Sequence, residues 1–328
     1  MTFSLINPPN PARSAKAQRD YGYTFQTAAA DVIDNSVAAN ATEINVKINL
    51  RSDGRKFVYF GDNGKGMTEK GLFLAMTYGS PEREDPESLG RFGMGLKSAS
   101  TSVGRCFNVI TRTSKNSSLL KLGWDLDHIE DVSAWEMIQH PVTEEEIEIF
   151  SDMCGDSGTL VIWSKCDRIL SKNYQDAAGT KEKQALKRLS TKLKQHVATV
   201  YHRFLDSSDQ TEVNLSIIID DELVKPWDPF FTSHSEQVLT EQQQKIEIET
   251  EDNNTHTAVI RAWILPHGND LDDAEKKEAR ITNNGQGFYI YREGRLICQG
   301  GWHGVFGSYN TMEPHMSLLR IEFDFKHP

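Results

Sequence analysis

Between Thr24 and Ala41 small and apolar residues (Ala28, Ala29, Val32, Ile33, Val37, Ala38) recur with no Pro or Gly among them, which predicts a helix with apolar positions on more than one side. Glu43–Leu50 then alternates Ile44, Val46, Ile48 and Leu50 with polar residues, Arg51–Arg55 reads as a turn, and Lys56–Phe60 reads as a returning strand. That strand runs straight into Gly61-Asp62-Asn63-Gly64-Lys65-Gly66. A helical stretch over 68–78, an acidic polar loop (Gly79–Ser88) and a second glycine cluster, Gly90-Arg91-Phe92-Gly93-Met94-Gly95-Leu96-Lys97, follow, with a further helix expected from Ser98. Strand-like runs recur at Phe107–Thr113, Leu119–Trp124 and Gly158–Trp163. Leu186, Leu189, Leu193, Val197, Val200 and Phe204 then repeat every three or four residues, the seam of one long amphipathic helix. From Glu212 the pattern returns to strands, at 212–220, 245–250, 255–265, 287–298 and 318–325, while residues 1–22 read as irregular.

A length of 328 residues accommodates two domains, each able to bury a core. The pattern divides the chain into an N-terminal arm (1–22), a first domain (23–170), a basic connecting helix (171–210) and a second domain (211–328). The formal net charge of −11 opposes contact with nucleic acid or anionic membranes over the surface as a whole, so such a contact would need a local patch. Charge is in fact segregated: Asp125–Asp152 holds ten acidic residues and no Lys or Arg, whereas Lys181–Arg203 holds seven basic residues and one acidic. The polar start after Met1 and the absence of any long apolar run lead to the expectation of a cytoplasmic protein without membrane contact. Cys106, Cys154, Cys166 and Cys298 form no C-x-x-C pair, and no zinc site is expected.

Asp31 and Asn35 stand four apart, so a carboxylate and an amide share one helix face. Their small apolar neighbours imply a helix packed on two sides, where polar groups are seldom buried without partners. Asp62 ends a strand and is followed by Gly64, Gly66 and Met67, an arrangement that lets backbone approach a flat ligand while a carboxylate accepts from an exocyclic amine; a plain turn explains the same residues. Gly93, Met94, Gly95, Leu96 and Lys97 at a helix start offer amide donors and an ammonium, the physical requirements of a phosphate cradle.

Taken in order, D-x-x-D-N-S-x-x-A on a helix, D-x-G-x-G-M after a strand, G-x-x-G-x-G-L-K, and a strand opening with Gly158-Thr159 resemble the four ATP-binding boxes of the GHKL superfamily, which includes gyrase, the ninety-kilodalton heat-shock chaperone, histidine kinases and MutL. Asp34-Asn35-Ser36, Phe92–Ser98 and Gly158–Trp163 resemble the MORC branch most, and Asp228–Phe231 with Gly287–Ile297 are similar to the transducer domain that follows the ATPase there. The resemblance implies an α/β (α+β) chain: a two-layer Bergerat-type ATP-binding sandwich, then an α+β, ribosomal-protein-like transducer domain. It implies ATP and Mg²⁺ as cofactors, with Asn35 on the metal and Asp62 on the adenine amine. Gly64, Gly66 and Met67 would pass the base, Gly93, Met94, Gly95, Leu96 and Lys97 would hold the phosphates, and Thr159 would stand beside Asp62.

Two departures bear on chemistry. Relatives usually carry a glutamate as general base four residues before the metal asparagine, where this chain has the shorter Asp31; and no Lys follows Arg295-Leu296-Ile297, where relatives place a lysine that senses the γ-phosphate. The expected function is Mg²⁺-dependent ATP binding with slow hydrolysis, closing a lid over 79–97 and driving formation of a homodimeric clamp, with DNA as a client suggested by the basic helix. The alternative is an ATP-sensing module that hardly hydrolyses. The basic helix also has a plain reading, a solvated face paired with the acidic 125–152 segment.

Overall fold

The computed structural model describes residues 7, 9–80, 94–172, 174, 176–206, 214–249, 255–305 and 312–325, which cluster into two compact units. The first holds the chain up to Gln195 together with Leu215–Val224; the second holds His196–Asn214 and the chain from Lys225 onward.

In the first unit α1 (Pro11–Gln18) and α2 (Phe25–Ala38) precede the hairpin of β1 (Glu43–Leu50) and β2 (Lys56–Asp62). Then come α3 (Glu69–Met76), α4 (Gly95–Val103), β3 (Cys106–Arg112), β4 (Leu120–Asp125), α5 (Leu126–Val132), α6 (Glu144–Cys154), β5 (Gly158–Ser164) and the long α7 (Thr180–Val200). After the short α8 (His202–Leu205), β6 (Ser216–Ile219) and β7 (Glu222–Leu223) complete a sheet of order β4-β3-β5-β2-β1-β6-β7. Its pairs are antiparallel except β1 with β6. The side chains alternate across it as a pleated strand requires. Tyr59, Ile110, Leu160 and Ile162 pack with Phe150, Met153 and Cys154 of α6, whereas Trp163 meets Phe60 and Phe25 of α2, its indole donating to Ser100 Oγ of α4 at 2.8 Å.

The opening segment, irregular by its sequence pattern, instead forms α1. Asn10 Oδ1 accepts from the Arg13 amide at 2.9 Å and Pro11 occupies the first turn, an N-terminal signal that the apolar pattern does not carry. Arg19, just beyond it, is buried, donating from Nε to the Thr101 carbonyl at 2.8 Å while its guanidinium meets Asp167. The helix expected from Ser98 begins three residues earlier, at Gly95, inside the glycine cluster.

The acidic segment has its own partners: Asp125 and Asp127 meet Lys165, Glu130 meets Arg105, Glu145 meets Arg51, Glu146 meets Lys121 and Asp152 meets Lys47. The ion pairs of α7 among the described residues are Glu182 with Lys56 and Lys194 with Glu222, so the basic helix is not paired with 125–152. Lys181, Lys183, Lys187, Arg188 and Lys192 face solvent.

The second unit contains β8 (Glu236–Gln237), β9 (Lys245–Glu249), β10 (Thr255–Ile264), α9 (Asp273–Ala279), β11 (Gly287–Arg292), β12 (Arg295–Gln299) and β13 (Leu319–Phe325). Its sheet runs β12-β11-β13-β10-β8, with β9 also on β10 and β11 parallel to β13. Phe230, Tyr289, Tyr291 and Leu296 form one core cluster, and Phe231, Leu265, Leu271 and Ala279 another. Arg320 is fully buried on the backbone carbonyls of Pro229, Ala279 and Arg280, and Arg203 is held by Glu322 and Asp324 with its guanidinium 3.8 Å from the Tyr291 ring centre.

Candidate nucleotide site

Three neighbouring strands bring Thr111 of β3, Thr159 of β5 and Asp62 of β2 into one row, because Thr111 pairs with Thr159 and Thr159 with Asp62. Strand parity puts all three on the face toward α2, the same face as Trp163 and Phe60. Asp62 is 5% exposed; its Oδ2 accepts from Ser36 Oγ of α2 and its Oδ1 from the Gly64 amide, each at 2.9 Å. Burial pushes its carboxyl above the usual carboxylate range, against the pull of hydrogen bonds from Gly64, Ser36 and the Thr159 backbone. The Thr111 hydroxyl donates to the Gly158 carbonyl at 2.8 Å, accepts from the Met67 amide at 2.9 Å and lies 3.2 Å from Thr159 Oγ1.

The turn after β2 is dictated by packing. Gly66 has φ +61°, and a Cβ there would fall 2.0 Å from the Arg112 carbonyl oxygen. A Cβ at Gly64 would come 2.8 Å from the Ala39 carbonyl oxygen, and the Lys65 amide donates to that same carbonyl at 3.0 Å. Asn63 spends its side chain on the Thr42 and Glu43 amides.

A second group gathers at the start of α4. Asp31 and Asn35 share a face of α2, which packs along α4. Asn35 Nδ2 donates to the Asp31 carbonyl at 2.6 Å, so a hard cation would be met by its Oδ1. A Cβ at Gly95 would stand 3.4 Å from Asp31 Oδ2, which brings the carboxylate beside the first turn of α4; no side chain caps that turn, Met94 being its N-cap residue. Leu96 follows in the same turn.

Lys97, in the same turn, is 1% exposed, its ammonium on the Ala75 carbonyl at 2.9 Å and 5.9 Å from the centre of the Tyr78 ring. Gly93, and residues 81–93 of the expected lid, fall outside the described residues. In the Arg295-Leu296-Ile297 run that no lysine follows, the Arg295 guanidinium lies 5.9 Å from the centre of the Tyr201 ring.

These donors suit a metal nucleotide. The oxygen that could meet magnesium here is Asn35 Oδ1, with phosphate oxygens and water as the further ligands a weakly dehydrating cation prefers. The buried Asp62 carboxylate is an acceptor suited to an amine. The sequence assigns no role to Ser36, although it stands in the Asp34-Asn35-Ser36 motif, and does not single out Thr111 or Tyr23, whose phenol donates to Asp31 Oδ2 at 2.6 Å. Strand parity carries a signal for Thr111, since it falls in register with Thr159 once the strands are aligned.

Residues 23–159 match the family described as histidine kinase-, DNA gyrase B-, and HSP90-like ATPase. The chain is 30% identical to ATPase MORC2B of Mus musculus over 184 residues, 44% of this chain and 18% of that protein. It is 28% identical to ATPase MORC2 of Homo sapiens over 169 residues, 41% and 16% of the two chains. It is 29% identical to Protein MICRORCHIDIA 1 of Arabidopsis thaliana over 92 residues, 27% and 14%. The chain thus spans less than a fifth of the length of these relatives. The order of the motifs on this fold agrees with these similarities, which fall on residues 23–159 for the ATPase family and on less than half of the chain for the MORC proteins.

Proposed function

We propose that the first unit binds Mg²⁺-ATP and hydrolyses it slowly, and that nucleotide binding brings two copies together as a clamp. The observation that carries this is that α2 serves two dissimilar acids: its Ser36, with Gly64, holds the buried Asp62, and its own Asp31 stands half-buried beside Gly95. Asp62 accepts from the adenine amine, with Thr159 and Thr111 supplying hydroxyls beside it. Gly95 and Leu96 offer backbone amides to phosphate oxygens at a helix N-terminus, where the helix dipole favours anions. Magnesium held by Asn35 would offset phosphate charge. The Asp31 carboxylate takes the proton of the attacking water, and being one methylene shorter than a glutamate it reaches that water less well, which makes turnover slow. The second unit fits a transducer-like role.

The test pairs calorimetric ATP affinity with phosphate release. Asp31→Asn should bind as wild type and lose turnover by ~10²–10⁴-fold, while Asp62→Asn should lose binding, because its amide presents a donor to the adenine amine. Equal hydrolysis by wild type and Asp31→Asn removes Asp31 from the chemistry and leaves an ATP-sensing module. Light scattering with a non-hydrolysable analogue tests the clamp, which a persistently monomeric protein refutes.

DNA as the client is supported by the exposed basic face of α7, which the acidic segment does not neutralise. Charge reversal at Lys187, Arg188 and Lys192 should abolish salt-dependent DNA binding; binding that survives it excludes this face.

A further inference from the structure

Tyr23 stands two residues ahead of α2 and is half-buried. Thr24 caps the helix through a reciprocal pair of bonds with Thr27, 3.2 Å from the Thr27 amide to the Thr24 hydroxyl and 3.0 Å from the Thr24 amide to the Thr27 hydroxyl, which fixes the angle at which the chain enters. The Tyr23 ring therefore runs along the first turns of α2, and its hydroxyl reaches Asp31 Oδ2 at 2.6 Å. That length is typical of a hydroxyl donating to a charged oxygen. A half-buried tyrosine would satisfy its hydroxyl in water at no cost; here it instead meets one particular carboxylate oxygen, the one beside Gly95.

An aspartate in a helix has its first torsion restricted by the preceding turn, but its second is broad. A donor fixed to the helix start removes that remaining freedom. We propose that Tyr23 is a positioning residue for Asp31: its phenol holds one carboxylate oxygen so that the short acid keeps a single orientation at the start of α4. The proposal rests on Asp31 being the general base. It also accounts for an acid shorter than glutamate at this position, since an added methylene moves the carboxylate by roughly 1.5 Å, past the reach of the phenol.

The experiment uses the full chain as wild type, Tyr23→Phe, Asp31→Glu and the Tyr23→Phe/Asp31→Glu double variant, with ATP hydrolysis and calorimetric affinity measured on each. Tyr23→Phe keeps the ring and should lower kcat about tenfold with KM and affinity unchanged, because the loss is confined to the orientation of the base. In the Asp31→Glu background the same change should alter kcat less than about twofold, since the longer acid does not use the phenol. A readout without nucleotide accompanies these. In protein labelled with ¹³C at tyrosine Cζ, the resonance missing from Tyr23→Phe identifies Tyr23, and it should move in Asp31→Ala. An unchanged kcat in Tyr23→Phe, an equal penalty in both backgrounds, or an unmoved Tyr23 resonance overturns the proposal while leaving Asp31 as base. Absence of hydrolysis in the wild-type protein, level with Asp31→Ala, overturns the base reading and this proposal with it.

Discussion

The two glycine clusters of the first unit leave out a side chain for different reasons. After β2, Gly66 is demanded by the protein itself, with a left-handed φ of +61° and the Arg112 carbonyl oxygen 2.0 Å from where a Cβ would be. At the start of α4, Gly95 has as its nearest neighbour among the described residues the Asp31 carboxylate, at 3.4 Å from a Cβ. Gly66 shapes the loop behind Asp62, and Gly95 keeps space beside Asp31. A glycine motif alone does not distinguish these uses; the neighbouring atoms do.

Substitution should separate them. Gly66→Ala is expected to have the largest effect, a loss of roughly 3 kcal/mol or more in the stability of the first unit, from left-handed strain and a backbone clash that no flexible side chain can relieve. Chemical denaturation followed by tryptophan fluorescence reads it, and native-like stability would mean the loop after β2 is loosely held. Next is the pH response of Asp62. Its carboxyl is raised in the folded state by burial, so its contribution to the stability of the nucleotide-free protein is fully present below the unfolded value and is lost as pH rises through the folded one. Adenine recognition has the opposite sign, because the amine needs the ionised acceptor. ATP affinity measured by calorimetry as pH is lowered should therefore fall at a pH above that of an ordinary aspartate, and a fall only where an ordinary aspartate titrates would exclude Asp62 as the acceptor. The smallest effect is Gly95→Ala, which should gain up to about 1 kcal/mol from helix propensity while slowing phosphate release a few-fold by crowding Asp31. A destabilised Gly95→Ala would place the two clusters in one class after all.

Much of this site was legible before any coordinates, and what escaped did so for identifiable reasons. Periodicity places Asp31 and Asn35 on one helix face and Asp62 with its glycines at a strand end, because each lies within one element or at its end, while their roles come from the resemblance. Thr111 and Ser36 escaped because their roles depend on which strand and which helix become neighbours, information that no local window holds. Lys97 is expected at the phosphates from its place at a helix start, and what the sequence does not show is that its ammonium also rests on the Ala75 carbonyl of α3, a contact set by tertiary packing. The α1 helix was hidden because Asn10 and Pro11 signal a start while the turns that follow lack an apolar stripe. Opposite charge in 125–152 and α7 suggested a partnership that the sheet forestalls, since Lys47, Arg51 and Lys121 on its own strands or turns reach the acidic residues instead.

The parallel pairing of β6 with β1 bears on how this protein can be made. Glu43 lies against Ser216, and Val46 against Ile219, so the inner strand of the first sheet waits for a partner that leaves the ribosome only after α7 and α8 have been made. Until then β1 presents a row of unpaired amides and carbonyls beside Ile44 and Val46, the kind of edge that recruits other chains. A fragment ended before α7 would keep every residue proposed to touch the nucleotide and still carry that open edge, prone to self-association during synthesis. The first unit is therefore continuous in space but not in the chain, and its last strands are delivered late.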